Sequence, residues 1–270
     1  MKESYLAAAI QMNSQPDPDH NLDQAYRRIN TAVNRGALFV GLPENFAFLG
    51  DLHQRIDRSD EIMEKSLRFL QQTAEEFGIY LLGGSFPAPA GDDKVYNRTV
   101  LVNPDGRIAA QYDKIHLFDV YLSENESYNE SDFVKEGDTE AVVYESDRIG
   151  NIGLSICYDL RFPELYRKLS EAGAEILCVP SAFTATTGRD HWKPLLQARA
   201  IENTGFIIAP AQTGIHGEKR STHGHSMIID PWGTIISDAQ KDGEMAIGEI
   251  NFKHLEETRM RIPSLKHRTL

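Results

Sequence analysis

Three ionisable side chains each follow a short apolar run: Glu44 comes after Leu38–Leu42, Lys114 after Ile108–Tyr112, and Cys157 after Asn151–Ile156. A strand that delivers a cysteine to a sharp turn just ahead of a helix start, here Phe162-Pro163-Glu164, holds a thiol near partial positive charge. Neighbouring strand ends in a layered α/β structure converge on one crevice. A carboxylate, an ammonium and a thiol meeting there form a working set. The carboxylate takes the thiol proton and the sulfur attacks an electrophilic carbon. The ammonium, with a backbone N–H following the cysteine, steadies the oxyanion that develops. Taken singly, each residue has a plainer reading: a buried strand-end thiol, a surface carboxylate, a solvated lysine. Their shared position at strand ends is what points to a site.

The elements that would carry these residues follow from periodicity. Tyr5 to Met12 reads as a buried strand and Tyr80 to Leu82 as another. Asn21 to Arg35 and Ser59 to Phe77 carry apolar residues at helical spacing and stop at Gly36 and Gly78. Residues Thr99–Val102, Asn103-Pro-Asp-Gly106 and Ile108–Tyr112 read as a hairpin. Phe162–Ala172, with Pro163 at the first helical position, and Asp190–Asn203 read as helices, and Ile176–Val179 and Phe206–Ala209 as strands. Met227–Ile229, Thr234–Ser237 and Met245–Ile250 complete the strands, before a short helix at about Lys253–Arg261. The acidic, aperiodic residues 121–139 read as a surface loop. Strands and helices interleave without a repeat or linker, so 1–270 reads as one domain, a mixed-sheet sandwich with helices outside.

Composition narrows the partners. The chain has 270 residues, of which 41% are hydrophobic and 25% charged, and a formal net charge of −12. That balance is ordinary for a globular protein, and it disfavours nucleic acid or an anionic membrane as partner. The two cysteines, Cys157 and Cys178, form no disulfide framework; Cys178, inside Ile176–Val179, reads as structural. A cytoplasmic setting is expected, with no signal segment and no membrane span. N-x-S/T triplets such as those at Asn97 and Asn129 read as chance matches. His216, His223 and His225 lack the cysteine or carboxylate neighbours of a metal site, so ordinary polar roles and no metal are expected. Gly83-Gly84 lacks a phosphate-loop pattern and reads as a packing or turn feature.

At the three strand ends the sequence resembles the nitrilase superfamily, the carbon–nitrogen hydrolases. The stretches LPENF around Glu44, YDKIHLFD around Lys114 and GLSICYDLRFPELYR around Cys157 are similar to that family's glutamate, lysine and cysteine motifs, in order. The resemblance extends to Pro180–Thr184, His191-Trp192, Ala198–Asn203 and His225–Gly233. It implies an α+β fold, a four-layer αββα sandwich of two mixed sheets, stacking as αββααββα in a homodimer. It implies Glu44 as general base, Lys114 as oxyanion stabiliser, Cys157 as nucleophile and the amide of Tyr158 as second oxyanion donor. A further glutamate that positions the lysine matches Glu130, with Glu124 and Glu126 close by.

Within that superfamily the chain looks most like the deaminated-glutathione amidase and omega-amidase branch, through CYDLRFPELYR and the ending Ile262–Arg268. The resemblance implies a cofactor-free amidase acting on a small carboxylate-bearing amide through a thioester on Cys157. An omega-amidase acting on 2-oxoglutaramate or 2-oxosuccinamate, or a true nitrilase, are the alternatives. A non-catalytic scaffold is disfavoured because Glu44, Lys114 and Cys157 are all present. Arg161 is expected either to grip a substrate carboxylate or to form an ion pair with Asp159 or Glu164. Phe183 and Thr184 are expected to line the pocket.

Overall fold

The computed structural model describes residues 2–91, 93–124, 126–217 and 220–269. Two mixed sheets lie face to face. The first runs Met245–Ile250, Tyr5–Ile10, Ala37–Gly41, Tyr80–Leu82, Lys94–Val102 and Phe86–Gly91, with Ile108–Asp113 also paired to Lys94–Val102. The second runs Ile235–Asp238, Met227–Ile229, Phe206–Ala209, Ile176–Cys178, Ile152–Leu154 and Val143–Tyr144. Each has three parallel strands at its centre and antiparallel strands on either side.

Side-chain alternation along Tyr5–Ile10 explains the layering. Ala7 and Ala9 face the second sheet, in a core with Leu154, Ile176 and Ile207. Ala8 and Ile10 face the opposite way, against α1 (Pro18–Asn34) and, beyond α2 (Leu52–Asp57), α3 (Ser59–Phe77), through Ala25, Ile29, Ile62 and Leu70. On the far side of the second sheet, α4 (Pro163–Glu171) and α5 (Ala185–Asn203) contribute Leu165, Tyr166, Trp192 and Leu196 to the first core. The order is therefore αββα, as the sequence implied; α6 (Phe252–Arg261) follows the last strand. Among the described residues no helix is long and apolar enough to cross a membrane.

Where structure and sequence differ, the causes are local. The expected loop at 121–139 begins with a hairpin, Asp119–Ser123 paired with Glu126–Asn129, and a 3-10 turn, Glu130–Asp132. The hairpin stands apart from both main sheets, with only the short alternation Val120 and Leu122 half-buried in its first strand, while Ser127, Tyr128 and Asn129 of its second line a cavity. The strand Phe86–Gly91, with Pro87 and Pro89, was also not anticipated; it lies at the sheet edge, where prolines are tolerated. The helix α5 starts five residues earlier than expected because Thr184 Oγ1 caps it, accepting from Thr187 N at 3.2 Å.

Candidate active site

Glu44, Lys114 and Cys157 meet between the two sheets. Glu44 follows the first-sheet strand Ala37–Gly41 and Lys114 the strand Ile108–Asp113, whereas Cys157 comes from the second sheet. Lys114 Nζ lies 3.3 Å from Glu44 Oε1 and 2.7 Å from Glu130 Oε2. Glu44 Oε1 also accepts from Asn97 Nδ2 at 2.9 Å, and its Oε2 accepts from the Ala182 amide at 2.8 Å. The Cys157 thiol faces the Glu44 carboxylate closely enough for each to shift the other's proton affinity. All three side chains are buried.

Backbone geometry presents the cysteine. Cys157 has φ +49°, a left-handed conformation rare for a residue with a side chain, and it opens a 3-10 turn, Cys157–Arg161. Asp159, fully buried, holds that turn. Its carboxylate accepts from Ile156 N at 2.8 Å and from Tyr112 Oη at 2.7 Å, and it meets His116 through N at 3.1 Å and Nδ1 at 2.7 Å. Tyr112 and His116 flank Lys114, so one carboxylate ties the cysteine segment to the lysine segment. The Glu44 turn has its own device. Gly84 packs so closely that a Cβ there would lie 2.1 Å from the Pro43 carbonyl oxygen. Gly83-Gly84 is thus a close-approach feature, as the sequence indicated.

The electrostatics set the protonation states. Burial alone would raise the Glu44 carboxyl. Lys114, Cys157, Arg220 and Arg55 together bring it below the usual value. Burial, and then the charge of Glu44, push the Cys157 thiol well above its ordinary value, with Lys114 opposing. Glu130 and Glu44 raise Lys114 despite burial. The resting set is therefore a neutral thiol against a carboxylate and an ammonium. Burial and the adjacent carboxylate both keep the proton on sulfur, and neither Lys114 nor the turn that follows Cys157 outweighs them.

A cavity of about 170 Å³ opens onto Cys157, Glu44 and Lys114, and Glu130, Tyr158, Phe183 and Thr184 also line it. Arg161 does not line it. Its guanidinium stacks over the rings of Tyr158 at 5.7 Å and Phe183 at 5.5 Å and contacts His191 Nδ1 at 3.3 Å. It makes neither of the ion pairs considered from sequence; Asp159 is committed to the turn. Two lining arginines that sequence reasoning missed, Arg55 and Arg220, face the cavity instead. Asn97 was also missed. It is buried, and its Nδ2 bridges Glu44 and, at 3.4 Å, Glu130. None of the three sits beside a recognisable motif, so only the folded arrangement finds them. An outer recess shares Ser127, Tyr128 and Arg220 with the cavity.

The histidines lie elsewhere. His216 is bonded to Ser14 O at 2.7 Å and Thr222 Oγ1 at 2.6 Å, and burial lowers it to about 4. His223 stacks on His225, which meets Asp238 at 3.1 Å. Among the described residues no group of His, Cys, Asp and Glu side chains is arranged to hold a metal ion.

The family model described as carbon-nitrogen hydrolase matches residues 6–260. The chain belongs to the carbon–nitrogen hydrolases, within the nitrilase superfamily. A deaminated glutathione amidase from Synechocystis is 53% identical over 266 residues, covering 98% of each chain. The solved structure of the C. elegans NitFhit protein superposes with a TM-score of 0.93 at 36% identity, over 99% of this chain and 66% of that one. An amidase of the nitrilase superfamily from Nesterenkonia sp. AN1 superposes with a TM-score of 0.80 at 26% identity, over 96% of this chain and 98% of that one. One structure of that amidase is described as showing Michael addition of acrylamide at its active site cysteine. This carbon–nitrogen hydrolase is thus an amidase by family, acting on C–N bonds.

Proposed function

We propose that this chain cleaves a small carboxylate-bearing amide of the deaminated-glutathione type through a thioester on Cys157. The observation that carries the reading is the convergence of Cys157, Glu44 and Lys114 on one cavity, with Lys114 Nζ 3.3 Å from Glu44 Oε1. Glu44 takes the thiol proton as sulfur attacks the amide carbonyl carbon. Because the thiol is neutral at rest, a base in contact is required. Lys114 and the Tyr158 amide, early in a 3-10 turn and without a partner inside it, stabilise the oxyanion. Collapse expels the amine with the proton from Glu44, leaving the thioester. Water, deprotonated by Glu44, then releases the acid and restores the thiol. Glu130 is the positioning residue for Lys114, which it meets at 2.7 Å while also accepting from Phe118 N at 2.7 Å.

The substrate class rests on relatives that carry that name and on the outer recess, which offers room for a leaving group larger than ammonia. Omega-amidase substrates, which release ammonia, would leave it empty. The test is a panel of deaminated glutathione, 2-oxoglutaramate, 2-oxosuccinamate and simple nitriles. Deaminated glutathione is expected to give the highest kcat/KM, and Cys157→Ala to abolish turnover and the thioester adduct seen by intact-protein mass spectrometry. Full activity in Cys157→Ala would overturn the mechanism. Faster turnover of 2-oxoglutaramate or of nitriles would overturn the substrate.

A further inference from the structure

Arg55, on the one-and-a-half-turn helix α2, is only 5% exposed, yet it lines the catalytic cavity. Its Nε and Nη2 have no hydrogen-bond partner among the described residues. Those two atoms form the edge of a guanidinium that grips a carboxylate with two parallel bonds. The same edge does so elsewhere in this chain, from Arg98 to Asp113 at 2.8 Å and from Arg58 to Glu61 at 2.9 and 3.0 Å. A buried cation with an empty fork is costly unless something fills it. The carboxylates nearby are committed: Glu44 to Asn97, Lys114 and the Ala182 amide, Glu130 to Lys114 and the Phe118 amide. A second cation, Arg220, lies close enough to repel Arg55, and its Nε is also without a partner among the described residues. Two neighbouring guanidiniums with open donors in one cavity make a site for an anion.

We infer that Arg55 binds the carboxylate on the acyl half of the substrate, the half that stays on Cys157 as the thioester. Arg55 borders only the inner cavity, whereas Arg220 stands where the cavity meets the outer recess through which the amine departs. The retained half therefore lies against Arg55. The role that the sequence offered to Arg161 passes to Arg55, from a distant part of the chain. The inference rests on the amidase reading above but does not require deaminated glutathione as the substrate.

The test uses two primary amides with the same leaving group and chain length: glutaramate, which has a distal carboxylate, and pentanamide, which does not. The wild-type enzyme is expected to prefer glutaramate. In Arg55→Met, kcat/KM for glutaramate should fall about 100-fold, mainly through KM, while that for pentanamide changes little. Arg55→Lys, which keeps the charge and loses the fork, should fall between the two, and guards against a misfolded Met variant. Equal losses on both amides, or a wild-type enzyme indifferent to the carboxylate, would overturn the inference. If deaminated glutathione proves a poor substrate while the Arg55 dependence holds, the substrate reading fails and this one stands.

Discussion

Glu44 and Cys157 share one proton, and their surroundings decide where it rests. The sign of the pH dependence follows. The carboxyl of Glu44 lies below the usual glutamate value of about 4.3, so it is ionised above that value and loses its charge only as pH falls through its lowered value. The acid limb of kcat/KM is therefore expected below about pH 4.3. The thiol is raised, so no gain in rate is expected near pH 8.5, where a free cysteine ionises. A pH–rate profile measured from pH 4 to 9.5 checks both; a limb centred at 6–7 would contradict the assignment. Glu44→Gln, which keeps the shape and removes the base, is expected to lower kcat by about 10²–10⁴ at every pH in that range. The same carboxylate contributes to stability above the unfolded glutamate value, and that contribution is lost on acidification through its folded value.

The turn that carries Cys157 is held by a single buried acid. Asp159 accepts from Ile156, Tyr112 and His116, which belong to both of the segments that carry Cys157 and Lys114. In Asp159→Asn, a carboxamide must meet the same donors with one oxygen. The expected cost is about 2–4 kcal/mol of stability, read by urea denaturation, since bonds to buried charge are worth about 1.5–3 kcal/mol each. As a positioning residue it should also lower kcat while leaving KM nearly unchanged; an equal rise in KM would argue for general loosening instead. Arg199 supports the same turn from α5, donating from Nε to Leu160 O at 3.0 Å.

At the scale of the whole molecule, the site is an inter-sheet object: the first sheet supplies base and ammonium, the second the nucleophile. The homodimer implied by the family resemblance is proposed to use the α5–α6 side. There Ile201, Trp232, Met260 and Ile262 are exposed, with Gly233 against Ile201 and Arg261 over the Trp232 ring. Light scattering at micromolar concentration is expected to give twice the chain mass, and Ile201→Asp with Met260→Asp to give the monomer. A wild-type monomer would overturn the assembly.

The sequence by itself determined the elements that local periodicity and capping specify. Ser59–Phe77 was legible to the residue because its apolar stripe ends at a left-handed Gly78. Glu44, Lys114 and Cys157 were legible because each ends an apolar strand within a stretch similar to a family motif. What only the tertiary structure decided depends on contacts between distant segments. The hairpin after Lys114 offers only a two-residue apolar alternation, Val120 and Leu122, because it packs outside both main sheets and its second strand walls the cavity. Asn97 fell within a glycosylation-like triplet, yet it bridges two glutamates. The thiol's protonation could not be read from its place before a helix, because burial and Glu44 outweigh the turn. Arg161, four residues from the nucleophile, was offered the substrate carboxylate; the fold turns it behind two rings and brings Arg55 from a short helix instead. Proximity along the chain predicts reach only within one element, and a cavity between two sheets is built from many.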